Sequence, residues 1–324
     1  MLMEVVGLGI DLPTPDGARR MVREASFVLD GGQTLGIVGE SGSGKTLTAL
    51  AMMGLLPDGA ATSGAILFEG RDLTKMSEAQ MQDLRGNRLA MIFQEPMTAL
   101  NPLHSIGRQI AEPLILHRGF SKAAAGGEAV KLLHRVGLPD PERRARAYPH
   151  ELSGGQRQRA MIAMALSCEP RLIIADEPTT ALDVTVQAQI LDLIAELRAQ
   201  SDMALILVSH DLAVIAQNCE RVLVMYGGMM MESGRTEDVL ARPAHPYTIA
   251  LLQARPRIGA RRGERLKAIA GVALSAGAVP KGCPFAGRCP LTIDACSDAP
   301  PAPATLGRGH MARCIRLDAA ERLA

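Results

Sequence analysis

The sequence predicts an α/β fold with a largely parallel sheet, and three observations carry that expectation. Short apolar runs at Thr34–Val38, Leu89–Phe93, Leu172–Ala175 and Ala204–Val208 alternate with stretches of helical periodicity. The first run enters a glycine loop, Gly39-Glu40-Ser41-Gly42-Ser43-Gly44-Lys45-Thr46, and a helical pattern follows. The third run ends on two adjacent carboxylates, Asp176 and Glu177.

Along the chain, Leu47, Leu50, Ala51 and Leu55 recur at helical spacing until Pro57. Ala65–Phe68 and Leu89–Phe93 have strand character. From Pro96 to about Ala165 the pattern is helical, with turn signals at Asn101-Pro102, Gly126-Gly127 and Pro139-Asp140-Pro141. A long amphipathic stretch, Val184–Arg198, separates the strands at Leu172 and Ala204. Arg221–Tyr226 and Met229–Glu232 predict a hairpin across Gly227-Gly228. After Pro256 the chain becomes rich in Arg, then in Gly, Pro and Cys, which places a boundary near 255: a main domain over 1–255 and an extension over 256–324. There is no internal repeat, and there is one glycine loop.

At 324 residues and 47% hydrophobic, the chain can bury one large domain plus an appendage. A net charge of +1 and a pI near 7.7 leave no electrostatic footprint for nucleic acid. No apolar run approaches the roughly 18–20 residues that span a bilayer. The start, with Glu4, lacks the basic-then-apolar pattern of a leader. The expectation is a cytoplasmic protein that leaves any membrane crossing to other subunits. Aromatic residues make up only 2%, against 17 Met. The core should therefore be aliphatic, with Met229-Met230-Met231 as strand packing.

The glycine loop carries the clearest chemistry. Gly39, Gly42 and Gly44 allow backbone N–H groups, with Ser41 and Ser43 between them, to curl around an anion at a helix N-terminus. Lys45 can reach β- and γ-phosphates, and the Thr46 hydroxyl can ligate Mg²⁺. Asp176, ending a strand, can hold Mg²⁺ through water, while Glu177 can orient or deprotonate the attacking water. Phosphoryl transfer requires this division between charge neutralisation and activation of the nucleophile.

Between these elements stands Leu152-Ser153-Gly154-Gly155-Gln156, and with it the chain resembles an ATP-binding cassette (ABC) ATPase. That resemblance implies a P-loop core with an antiparallel β subdomain, an inserted helical subdomain at about 96–165 and a small Cys-rich C-terminal extension. It also implies that ATP is hydrolysed only when two such subunits face each other. Ile92-Phe93-Gln94 and the residues to Pro102 resemble the Q-loop, whose Gln94 would contact metal and attacking water while the loop senses a transporter partner. Ser153, Gly154, Gly155 and Gln156 would bind the γ-phosphate held by the opposite subunit. Ala181-Leu182-Asp183 is similar to the D-loop, and His210 to the switch histidine. One departure concerns the base. The family usually stacks an aromatic ring on adenine, but no aromatic precedes Phe27, which leaves Leu12, Pro13 or Arg20 to lie against it.

Within the family, the chain most resembles the D-type ATPase subunit of dipeptide and oligopeptide importers. The supporting stretches are Met53–Pro57, Phe93–Pro102, Tyr148–Ser153, Ile174–Val184 and His245–Thr248. This likeness implies two integral membrane permease subunits, an F-type homologue completing an ATPase heterodimer, and an extracytoplasmic solute-binding protein. It places the chain peripherally on the cytoplasmic face of the bacterial inner membrane. Nickel importers share much of the pattern. A soluble ABC protein is the contrasting class, and the chain has neither the second cassette nor the coiled-coil insertion common there.

Cys168 and Cys219 fit buried apolar positions. Cys283, Cys289, Cys296 and Cys314 crowd the tail, where disulfides are not expected in a cytoplasmic protein. Their C-x(5)-C-x(6)-C-x(17)-C spacing matches neither the usual zinc pairs nor a ferredoxin run, so spacing leaves the site undecided. Resemblance of the tail to peptide-importer subunits favours a [4Fe–4S] cluster over zinc. His310 is close enough in sequence to Cys314 to be an alternative ligand but reads as a surface residue. All nucleotide motifs precede the tail.

Overall fold

The computed structural model describes residues 1–180, 183–254, 268–274, 280–307 and 309–323. The expected boundary near 255 and the Ala181-Leu182 part of the D-loop therefore lie outside the described residues. By contacts the chain divides into two units, one of Met1–Leu2, Leu29–Gln33 and Lys75–Val208, the other of Met3–Val28, Thr34–Thr74 and Ser209–Ala324.

In the first unit, the strands Leu89–Ile92, Leu172–Asp176 and Ala204–Ser209 form a parallel ladder in which Ile174 lies between Met91 and Ile206. Every residue of the three strands is buried, as expected for parallel strands covered on both faces. The helical part contains Ile106–Arg118, Lys122–Arg135 and Gly154–Leu166, which pack on one another. Ile106, Ile110 and Leu114 recur at four-residue spacing and are buried, as are Ala125, Ala129, Leu132 and Leu133 on the neighbouring helix. The helical stretch is thus found where its periodicity places it.

In the second unit the strands lie in the order 71–72, 61–68, 3–14, 17–29, 229–235, 221–226 and 34–38. The Met3–Thr14 strand pairs antiparallel with Ala61–Phe68, whereas Thr34–Val38 pairs parallel with Arg221–Tyr226. Parallel core ladders and an antiparallel β portion both match the expected fold. The hairpin is present, with Tyr226 opposite Met229 and both intervening glycines at positive φ (54° and 77°), which suits a tight two-residue turn. The helix after the glycine loop runs only Lys45–Met53, short of Pro57. Gly54 turns left-handed at φ 62°, and the N–H groups of Gly54 and Leu55 bond back to the Ala51 and Leu50 carbonyls.

The C-terminal part is fastened by a fully buried carboxylate. Glu232 accepts the Ala244 N–H at 2.8 Å and the His245 N–H at 2.9 Å, and its Oε1 lies 2.7 Å from His310 Nε2. His310 is therefore not a surface residue: it is 7% exposed, and its strand His310–Ala312 pairs with Met229–Arg235. His245 starts the helix Pro246–Gln253 and accepts the Tyr247 N–H through Nδ1. Burial pulls its imidazole down to about 4, which keeps that nitrogen free to accept. Replacing Glu232 by Ala would leave two buried N–H groups and His310 without their acceptor. A loss of roughly 3–5 kcal/mol is expected in denaturant unfolding. A loss below about 1 kcal/mol, within the ordinary effect of a point mutation, would show that this carboxylate is not the fastening.

Candidate functional site

In the second unit the buried strand Thr34–Val38 delivers the glycine loop to the N-terminus of the Lys45–Met53 helix. Gly39 admits no side chain, because a Cβ there would stand 2.1 Å from the Met225 carbonyl oxygen. Lys45 is 5% exposed, and its Nζ donates to the Gly39 carbonyl at 2.9 Å and the Glu40 carbonyl at 3.1 Å. Ser41, Gly42 and Thr46 are exposed, whereas Ser43 is buried and its hydroxyl has no hydrogen-bond partner among the described residues. A bend of backbone N–H groups at a helix start, with a lysine beneath it, can hold a polyanion.

The motifs precede the tail in sequence, but in space the tail reaches the loop. The Glu40 N–H donates to the Tyr247 hydroxyl at 2.9 Å. Arg288 Nη1 donates to Glu40 Oε2 at 2.7 Å and to the Tyr226 hydroxyl at 3.0 Å. Burial pushes the Tyr247 phenol well above its usual value, so it stays protonated. Tyr226, Tyr247 and Phe285 pack together with ring centroids 4.6–5.4 Å apart. Sequence reasoning passes over these residues as site residues. The available signal was scarcity: two of only three tyrosines meet here.

Also in the second unit, His210 follows the strand end and is exposed, and Asp211 beside it caps the next helix by accepting the Ala213 N–H. Pro13 is exposed and Leu12 half-buried on the first strand, while Arg20 is tied to Asp11 at 2.6 Å.

In the first unit Asp176 is 2% exposed and ends its strand in register with Val208. Glu177 follows at φ 43°, a left-handed conformation that a glutamate seldom takes. Its N–H donates to the Val208 carbonyl, and Oε2 accepts from Thr180 Oγ1 at 2.9 Å and Gln94 Nε2 at 3.4 Å. Gln94 and Glu177, 83 residues apart in sequence, are thus brought together. Ser153 caps the Gly154–Leu166 helix reciprocally with Gln156: Oγ accepts the Gln156 N–H and Gln156 Oε1 accepts the Ser153 N–H. Ser153 and Gly154 are exposed at that helix start, and Gly155 is half-buried. Asp183 caps the Val184–Ala199 helix by accepting the Val186 N–H.

Cys283, Cys289, Cys296 and Cys314 all line one small cavity of about 20 Å³, with His245, Phe285 and Leu291 among its walls. Burial pushes the Cys283 thiol up to about 11 and raises Cys289 and Cys314 as well. The Arg316 N–H donates to Cys314 Sγ at 3.2 Å. Even so, among the described residues no group of three or more His, Cys, Asp or Glu is arranged to hold a metal ion. The thiols share a cavity without forming the ligand set expected for a [4Fe–4S] cluster. Cys168 and Cys219 are buried apolar residues, as expected.

Residues 22–180 match the ABC transporter family, and residues 231–296 match the C-terminal region of oligopeptide/dipeptide transporters. The oligopeptide transport ATP-binding protein OppD of Salmonella typhimurium is 48% identical over 98% of this chain and 94% of its own length. OppD of Escherichia coli is 50% identical over 93% of this chain and 89% of its own. Among solved structures, the dimeric post-hydrolysis state of the ATP-binding cassette MJ0796, bound to ADP and Pi, aligns with a TM-score of 0.65 and 25% identity. It covers 72% of this chain and 99% of that one. A glycine loop able to hold a polyanion, a buried aspartate followed by a hydrogen-bonded glutamate, and 48% identity over 98% of the chain converge on one assignment. The chain belongs to the ABC transporter ATPases, in the oligopeptide and dipeptide transport ATP-binding group.

Proposed function

We propose that this chain is the ATP-hydrolysing subunit of a membrane importer for dipeptides and oligopeptides. The observation that carries the reading is a likeness to oligopeptide transport ATP-binding proteins over 98% of the chain, tail region included. Nickel or other small solutes are the second cargo class, and a soluble ABC ATPase ranks behind both. Residues 1–255 would form the nucleotide-binding domain, with its helical subdomain at about 96–165, and 256–324 the extension.

In this reading Gly39 to Thr46 cradle the phosphates, with Lys45 leaving its two carbonyl acceptors to reach the β- and γ-oxygens. The Thr46 hydroxyl, the Asp176 carboxylate and the Gln94 amide are oxygen donors, the class that Mg²⁺ takes. Mg²⁺, when bound, neutralises charge on the phosphates. Glu177 orients the attacking water and draws off its proton, and its bonds to Thr180 and Gln94 aim the carboxylate. His210 serves the γ-phosphate of the same nucleotide. Ser153, Gly154, Gly155 and Gln156 serve the nucleotide of the opposite subunit, beside Asp183, and the exposure of Ser153 and Gly154 at a helix start supports this role.

The partner ATPase would be an F-type homologue, and two permeases with an extracytoplasmic binding protein would complete the importer. Among the described residues no helix is long and apolar enough to cross a membrane. Attachment to the cytoplasmic face of the inner membrane would therefore be peripheral. Met97, Leu103 and Leu116 follow Gln94 and are 50%, 80% and 71% exposed, an apolar set suited to a permease. The iron–sulfur cluster on Cys283, Cys289, Cys296 and Cys314 rests on the likeness of the tail to peptide-importer subunits and on the preference of soft metals for thiolates; the four thiols, which line one cavity without a formed ligand set, would have to draw together around it.

Glu177→Gln should keep ATP binding and lower turnover of the assembled complex by about 10²–10⁴. Lys45→Ala should weaken nucleotide binding itself. Near-normal hydrolysis by Glu177→Gln would remove Glu177 from the mechanism. Affinity purification from the native membrane should bring down two integral membrane proteins and a second ATPase, and a strictly monomeric preparation should be nearly inactive. Ribosomes or DNA in place of the permeases would overturn the importer reading. Protein purified without oxygen should be brown and hold about four iron atoms per chain. A colourless protein with stoichiometric zinc would replace the cluster with a zinc site.

A further inference from the structure

Glu40 sits inside a loop read as binding phosphates, and a carboxylate there would repel them. Within the second unit its charge is matched by Arg288, whose side chain is 8% exposed. The guanidinium is itself held in place. It donates to the Tyr226 hydroxyl and the Ile269 and Ala270 carbonyls, and its carbon lies 5.7 Å from the Tyr226 ring centroid and 6.0 Å from that of Phe285. Glu40's remaining groups are fixed too: its N–H to the Tyr247 hydroxyl, its carbonyl to Lys45 Nζ. Phe285 and Cys289, two walls of the cysteine cavity, bracket Arg288 in sequence.

We propose that Arg288, with Tyr247, is a positioning residue for nucleotide binding: it neutralises Glu40 and holds it aside, so that the phosphate loop presents N–H groups and Lys45 to the phosphates rather than a carboxylate. The proposal rests on the reading of Gly39–Thr46 as the phosphate loop. It makes ATP affinity depend on a residue about 250 positions away in the C-terminal part of the chain.

Charge gives the proposal a signature that simple packing lacks. In the full-length chain, Arg288→Gln should raise the Kd for a fluorescent Mg–ATP analogue about fivefold to tenfold, because a half-buried carboxylate is left uncompensated beside the anion. Glu40→Gln alone should raise Kd less than Arg288→Gln does, since it removes the repulsion together with the pair. The double variant should return close to Glu40→Gln. In the assembled transporter the Arg288→Gln defect should appear in KM for ATP more than in kcat. Tyr247→Phe deletes one hydroxyl and keeps the ring, and should raise Kd about threefold even if Arg288→Gln fails to fold. Normal affinity in folded Arg288→Gln while Lys45→Ala has lost binding would overturn the clamp and spare the loop. An Arg288→Gln defect that Glu40→Gln does not relieve would also overturn it, marking a packing role. Normal binding by Lys45→Ala would bring down the loop reading itself.

Discussion

A loop proposed to gather backbone N–H groups around an anion cannot be shaped by large side chains of its own, so its form must come from what lies behind it. Here that backing is the hairpin and the second strand. The Met225 carbonyl sits where a side chain of Gly39 would be, and a Cβ on Gly44 would meet Val22 at 2.9 Å. Gly228 N–H donates to the Ser43 carbonyl, and Arg23 N–H to that of Gly228. Tyr247 holds the Glu40 N–H from a helix 207 residues further on. The placement of Gly17–Leu29, Arg221–Tyr226, Met229–Arg235 and Pro246–Gln253 is in this sense one problem. Each must bring a backbone group, or a hydroxyl, to the back of the loop without filling it.

The first unit meets a different demand, which is to hold a glutamate in a strained place. Glu177 has φ 43°, a conformation costing on the order of 1–3 kcal/mol, and its neighbours keep it there. Its N–H completes the parallel ladder at Val208, while Thr180 and Gln94 fix the carboxylate. The ladder supplies the rigidity, since every strand residue from Leu172 to Asp176 is buried. A strained residue at the end of a rigid strand points its side chain more narrowly than the same residue in a free turn.

What was legible in the sequence was whatever depends on near neighbours. The parallel strands, the helical segment, the hairpin and the loop-to-helix transition follow from periodicity and glycine placement within about a dozen residues. The helix end was misread because Leu55 keeps the apolar rhythm, whereas Gly54 sets the stop through its backbone. The strands Met3–Thr14 and Gly17–Leu29 were barely visible. Their exposed and buried residues do not alternate cleanly, and the ladder with Ala61–Phe68 shifts register between Val6 and Gly9. His310 was misplaced because its partner, Glu232, is 78 residues away. The Arg288–Glu40 pair spans 248, and no local pattern announces such a contact.

The strand His310–Ala312 has one further implication. It covers the flank of Met229–Arg235, pairing Ala312 with Glu232 and Met311 with Ser233. A shortened version ending after the nucleotide motifs would uncover that flank as a row of unsatisfied amides and carbonyls. Bared edges of this kind recruit strands from neighbouring molecules. Protection of that edge against association is thereby tied to a ladder of two residue pairs.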